Sequence, residues 1–190
     1  MARQFPLLPQ EDERRLVERA QAGDENAFAE IYYAYSPRIY RYIVVRTGNE
    51  ADAEDVMQDV MEKVYWALPR YRLGQAPFAA WVFKVAYNSL IDWRRRNGHR
   101  ADEVALPYGL ITDRPGPEEM VELRLALKDL GQAIARLPES QRSVLELRLF
   151  GDLSAAEIGK ILGKRDGNVR ALLYQALLNL RKLSAREGSL

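Results

Sequence analysis

Residues 153–183 read LSAAEIGKILGKRDGNVRALLYQALLNLRKL. This stretch spells two helices joined by a tight turn, with the second helix presented for DNA. Ser154 opens S-x-x-E with Glu157, a capping box in which each side chain satisfies the other's free backbone N–H, typically worth about 1 kcal/mol. Ile158, Ile161 and Leu162 then share one helical face, and Gly163 stands where a helix ends in the left-handed conformation. Asp166 or Arg165 opens the next helix, and an acid suits its positive terminus. Val169, Leu173, Ala176, Leu180 and Leu183 recur at three- and four-residue spacing and so face a core. Asn168, Arg170, Ala171, Tyr174 and Gln175 are left outside, near the N-terminal half. In a helix-turn-helix that half meets base edges in the major groove. An ordinary helical hairpin also fits these residues, so the rest of the chain decides.

A chain of 190 residues buries one good core or two small ones, and its 47% hydrophobic and 29% charged residues are ordinary for a globular protein. Without cysteine there are no disulfides or thiolate metal sites, and His99 alone builds no zinc site of several imidazoles. No stretch approaches the roughly 20 apolar residues of a membrane span, and the apolar patch in MARQFPLLPQEDERR is too short for a secretory signal. A cytoplasmic protein without metal or other cofactor is expected. The net charge of +1 conceals segregation. Glu50, Asp52, Glu54, Asp55, Asp59 and Glu62 lie between Thr47 and Glu62 with no Lys or Arg among them. Lys84, Arg94, Arg95, Arg96 and Arg100 are opposed by Asp92 alone. Such a division suits a protein that holds DNA and a base-bearing partner together; differently solvated helix faces give the same pattern.

The reading is all-α: two small helical domains, residues 11–97 and 118–186, joined by a linker at 98–117 that carries Gly, Pro and Asp and no sustained period. Glu11 to Ala22 is a short helix with Leu16, Val17 and Ala20 inward. Asp24 or Asn26 caps the next, with Ala27, Phe28, Ile31 and Tyr35 as its stripe, and Ser36-Pro37 marks a boundary or a helix start. A helix from about Ala51 to Leu68 turns Val56, Val60 and Val64 inward, while Asp52, Asp55, Asp59 and Glu62 form their own stripe with Gln58 alongside. Acids in such a row serve a metal, general acid–base chemistry, a solvated face or a protein dock. Protein docking is the preferred reading, since no second cluster or phosphate loop supports chemistry. After the loop PRYRLGQAP, a helix to about Arg96 buries Phe78, Trp81, Val82, Val85, Ala86 and Leu90 and sets Lys84, Asn88, Asp92 and Arg95 on another face. Lys and Arg there suit phosphates, and Asn suits bases. Trp81 and Trp93 are candidates to stack on unpaired bases, but both read as core, Trp81 more firmly. In the second domain Met120, Leu123, Leu127, Leu130, Ile134 and Leu137 point inward, and Val144, Leu145 and Leu149 belong to the next helix, which Gly151 ends.

With these segments in view, the chain resembles the extracytoplasmic-function sigma factors of the sigma-seventy superfamily. GDENAFAEIYYAYSPRIYRYI, DAEDVMQDVMEKVYWALPRY, PFAAWVFKVAYNSLIDWRRR and LPESQRSVLELRLFGDLSAAEIGKILG match the family's segments in order. The resemblance implies a non-enzymatic subunit that binds core RNA polymerase, directs it to promoters and helps open the DNA. It implies that Asp52, Asp55, Gln58, Asp59 and Glu62 dock on a coiled coil of the largest subunit. The −10 element is then held by Arg72, Gln75, Lys84, Asn88, Arg94, Arg95 and Arg96, with a base flipped into the loop Arg72 to Ala76. The −35 element is read as duplex by Lys164, Arg165, Asn168, Arg170, Ala171, Tyr174 and Gln175, and the rest of that domain meets the flap of the second-largest subunit. An anti-sigma factor is a further implied partner. Leu172, Gln175 and Leu177 stand where relatives often carry Arg or Lys, and Asn168 replaces a common Thr, so a weaker, less salt-sensitive −35 grip is expected. Leu178 is either an exposed docking residue or, with Leu172 and Leu177, part of a widened core face. A stand-alone helix-turn-helix regulator is the alternative, and it needs neither a polymerase dock nor a single-strand reader.

Overall fold

A computed structural model describes residues 9–98 and 131–187, and every regular element among them is helical. Helix α1 (Gln10–Gln21) turns Leu16 and Val17 inward. Helix α2 (Glu25–Thr47) starts at Asp24, whose carboxylate accepts the Ala27 N–H at 3.1 Å, and ends at Gly48 with φ 79°. The boundary expected at Ser36-Pro37 is absent, because Pro37 lies inside α2. Proline there removes the N–H that would bond the carbonyl of Tyr33, and Tyr33 is 74% exposed, so water can take its place. Helix α3 (Glu50–Ala67) is capped by Asn49, which accepts the Asp52 N–H at 2.8 Å. A 3-10 turn, Leu68–Arg70, and a loop lead through Pro77 into α4 (Phe78–Asn97). These helices close around Ile31, Ile39, Tyr42, Ile43, Val60 and Phe83, all fully buried.

Residues 131–135 are helical (α5). Helices α6 (Glu139–Gly151), α7 (Ala155–Leu162) and α8 (Asp166–Glu187) follow. The capping box forms as the spacing predicts: Ser154 accepts the Glu157 N–H at 3.3 Å and Glu157 accepts the Ser154 N–H at 2.6 Å. Gly163 closes α7 at φ 65°. The tight turn depends on Gly159, where a Cβ would stand 2.5 Å from the Lys164 carbonyl oxygen. Gly151 is the last residue of α6, and Asp152 after it takes the left-handed conformation at φ 49°. The expected linker beyond Gly98 and the helical pattern from Glu118 to Leu130 lie outside the described residues.

Of the one good core or two small ones that the chain length allows, the described residues form one large core. Val144, Leu147, Leu153, Ile158, Ile161 and Val169 of the second half continue the core of the first, because α6 and α7 lie against α2 and α4. Ile134, Leu137, Leu145 and Ala176 make a small second cluster, backed by Leu180. Of the two tryptophans expected in the core, Trp93 lies there and Trp81, the firmer expectation, is only partly covered. Trp93 is 5% exposed, in the seam beside Glu139 and Arg142 of α6. Trp81 is half-buried at the rim, its ring 5.0 Å from Tyr71 and 5.4 Å from Phe78.

Candidate nucleic-acid and polymerase interfaces

The acidic row on α3 follows from helical spacing, but its members differ in freedom. Asp55, Gln58 and Glu62 are exposed, whereas Asp52 and Asp59 are half-buried. Asp52 accepts from the Asn49 amide at 2.6 Å, which ties it to the helix start. Asp59 accepts from Lys63 at 2.7 Å, and the same ammonium donates to Ser89 of α4 at 3.0 Å. The next position in register is Trp66, 69% exposed.

On α4, Lys84, Asn88, Arg95 and Arg96 are exposed, and Arg95 pairs loosely with Asp92 at 3.4 Å. Arg94 is half-buried and reaches Glu139 of α6 at 3.4 Å. Arg72 and Gln75 project from an exposed loop that is held at its base. The Tyr71 hydroxyl donates to the Ala76 carbonyl at 2.6 Å. From α1, the Gln21 amide donates to the Leu68 and Tyr71 carbonyls at 2.9 and 2.7 Å. A cleft of about 780 Å³ opens beside this loop, lined by Leu73, Gly74, Gln75 and Phe78 on one side and Glu11, Glu13 and Arg14 on the other. It is larger than a nucleobase, and Lys160 of α7 reaches its edge.

In the helix-turn-helix, Lys164, Arg165, Asn168, Arg170, Ala171, Tyr174 and Gln175 are all exposed. Arg170 is engaged within its own helix by Asp166 at 2.7 Å, an exposed pair that contributes little stability. Leu172 turns toward the core, but Leu177 and Leu178 remain 58% and 40% exposed, so only the first widens the core face.

The seam between the halves holds charged residues that periodicity did not mark. Arg46, in the last turn of α2, donates to Glu139 at 2.6 Å, to Ser143 at 2.9 Å and to the fully buried Glu146. Glu139 also accepts from Arg142 at 2.5 Å. Burial pushes Glu139 up, but Arg46 and Arg142 outweigh it and hold the carboxyl down to about 2. Glu146 is pushed up by burial against the pull of Arg46, and its second oxygen has no partner. Arg38 donates to the Phe150 carbonyl at 3.0 Å and to that of Gly151. These are end carbonyls of α6, which a cation suits twice over, as hydrogen-bond donor and as counter-charge to the helix dipole. Residues some hundred positions apart form these contacts, so only the fold could reveal them.

The Sigma-70 region 2 family matches residues 31–100, and the Sigma-70 region 4 family matches residues 127–180. The ECF RNA polymerase sigma factor ShbA of Streptomyces griseus is 35% identical over 89% of this chain and 93% of its own. The ECF RNA polymerase sigma factor BldN of Streptomyces coelicolor is 32% identical over 88% of this chain, which spans 64% of BldN. Among solved structures, CnrH in complex with the cytosolic domain of CnrY superimposes with a TM-score of 0.69 at 22% identity, over 92% of this chain and 97% of that one, a likeness of fold. Helices, faces and relatives agree on one class, a two-part all-α promoter-recognition subunit. The chain belongs to the ECF RNA polymerase sigma factors. It is thus not an enzyme and not a stand-alone regulator, but the subunit that takes core polymerase to promoter DNA. Among the described residues no helix is long and apolar enough to cross a membrane.

Proposed function

We propose that this factor engages polymerase and promoter through four surfaces. A region-two unit, residues 11–97, docks the largest-subunit coiled coil through Asp52, Asp55, Gln58, Asp59 and Glu62. The same unit holds the melted −10 strand on Lys84, Asn88 and Arg94 to Arg96, with Arg72 and Gln75 at the cleft that receives a flipped base. A region-four unit, residues 118–186, reads −35 duplex through Lys164, Arg165, Asn168, Arg170, Ala171, Tyr174 and Gln175, and meets the second-largest-subunit flap. The work is cytoplasmic, where polymerase is, and an anti-sigma factor is the expected antagonist.

One observation carries this reading: the loop of the cleft, the Lys84–Asn88 face and the acidic row all belong to the first helical unit and share its core. An unstacked base and the polymerase are thus held in fixed relation. Extruding a base costs a few kcal/mol, so a preformed, Gln21-braced cleft is what strand opening requires. The test is pull-down of core polymerase with wild type and with Asp55→Lys/Asp59→Lys, followed by run-off transcription on a promoter library. Capture and initiation by wild type, both lost on charge reversal, are expected. Full capture by the reversed variant sinks the docking assignment.

A further inference from the structure

Arg46 belongs to none of the surfaces assigned so far, yet it donates to three residues across the seam. Its hydrogen-bond partners across the seam, Glu139, Ser143 and Glu146, all belong to α6. Arg94, from the basic end of α4, reaches the same Glu139 carboxylate. Two guanidinium groups of the first unit therefore converge on one anion supplied by the second. A phosphodiester presents two partly charged oxygens and a single negative charge, so it satisfies the same donors as a carboxylate.

The arrangement excludes the promoter-bound state. Promoter elements about 23 base pairs apart are separated by roughly 80 Å at ~3.4 Å per pair, whereas α7 of the helix-turn-helix lies directly on α4. Spanning a promoter requires α6 to leave, and its departure uncovers Arg46 and Arg94 together, beside the exposed Arg95 and Arg96.

We propose that Arg46 and Arg94 form a DNA-backbone phosphate site, and that Glu139 occupies it in the closed chain, so closure and backbone binding exclude each other. This deepens the promoter-binding reading above and rests on it. Glu139 acts as an internal stand-in for phosphate, and DNA competes with it for the same donors. Glu146 holds the buried side of Arg46 while the chain is closed.

The test uses the full chain and a fluorescein-labelled single-stranded DNA and its duplex, titrated across a salt series. Closure is followed by energy transfer between dyes on Asn26→Cys and Arg181→Cys, which is direct because the chain has no cysteine of its own. Glu139→Gln is expected to lower energy transfer and to tighten DNA binding by about tenfold, the scale of one charge-assisted contact. Arg46→Gln is made with Glu146→Gln, so that no buried carboxylate is stranded, and is compared with Glu146→Gln alone. Energy transfer reports how far each of these opens, and the double variant is expected to bind DNA about tenfold more weakly than the single one. Its salt slope should also be shallower by about 0.7 to 0.9, the loss of one phosphate contact. Equal DNA affinity of these two variants overturns the phosphate role of Arg46. Unchanged affinity and unchanged energy transfer in Glu139→Gln overturn the competition. Polymerase capture by wild type is measured in parallel, and its absence would fail the promoter reading while leaving the oligonucleotide result to judge the phosphate site.

Discussion

Glu139 shows how one side chain acquires a role from its surroundings. Burial alone would favour its protonated form; Arg46 and Arg142 reverse that and hold it at about 2. A carboxyl held below its unfolded value stabilises the fold when charged. That contribution is complete above about pH 4.3, the ordinary glutamate value, and is lost as pH falls toward 2. Glu146, facing Arg46 in the same seam, works in the opposite sense, since burial raises it. Wild type is therefore expected to melt above Glu139→Gln near neutral pH, with the gap in Tm narrowing as pH falls below about 4.3; a gap constant with pH contradicts the assignment. Gln21 is a second case. Its amide braces two carbonyls at the foot of the loop that carries Arg72 and Gln75. Gln21→Leu should cost about 1–2 kcal/mol in stability and lower run-off transcription several-fold while polymerase pull-down stays intact. Loss of capture instead would mean that Gln21 serves the whole unit rather than the loop.

Among the elements, α6 depends on a cap from outside its own domain. Arg38 of α2 is 7% exposed and donates to the last carbonyls of α6. Its guanidinium carbon lies 6.0 Å from the Tyr35 ring centroid and 5.6 Å from that of Phe83. Arg38→Met removes those donors but keeps the bulk, and a loss of about 1–3 kcal/mol is expected from carbonyls left buried without partners, read by thermal denaturation. Unaltered stability would show that water replaces the guanidinium. The turn between α7 and α8 is equally specific. Gly159→Ala sets a methyl group 2.5 Å from the Lys164 carbonyl, against backbone rather than a yielding side chain. Overpacking of this kind costs about 1–3 kcal/mol. It should weaken −35 duplex binding more than polymerase capture, measured on the same preparation.

For the molecule as a whole, length governs what the two units can reach. A linker of about 20 residues extends to ~65 Å, and each domain adds roughly 13 Å of radius, so an ~80 Å promoter span leaves little slack. Shortening Asp102 to Pro115 by about ten residues, a loss of ~35 Å of reach, should abolish promoter-specific initiation in run-off assays while polymerase capture persists. Unimpaired initiation from that deletion would refute the two-grip arrangement. The closed seam adds a second condition, because α7 of the helix-turn-helix lies on α4, the helix of the proposed −10 face. The factor must therefore open before it can span a promoter.

Much of this protein was legible in sequence because local rules specify it. The capping box at Ser154, the stop at Gly163, the acidic row on α3 and the outward residues of α8 all follow from 3.6-residue spacing and cap chemistry. Pro37 was misread because a proline stops a helix only where its missing hydrogen bond cannot be replaced, and exposure of Tyr33 is a tertiary fact. Trp93 is core as its spacing predicts, whereas Trp81 stops at half-burial, because spacing assigns a face while the depth of that face depends on what covers it. The seam itself had no local signal. Arg46 with Glu139 and Glu146, and Arg38 with the end of α6, join positions about a hundred residues apart. Sequence determined the helices, their caps and their outward faces; tertiary structure alone decided which charges meet, because a long-range ion pair is set by packing rather than by period.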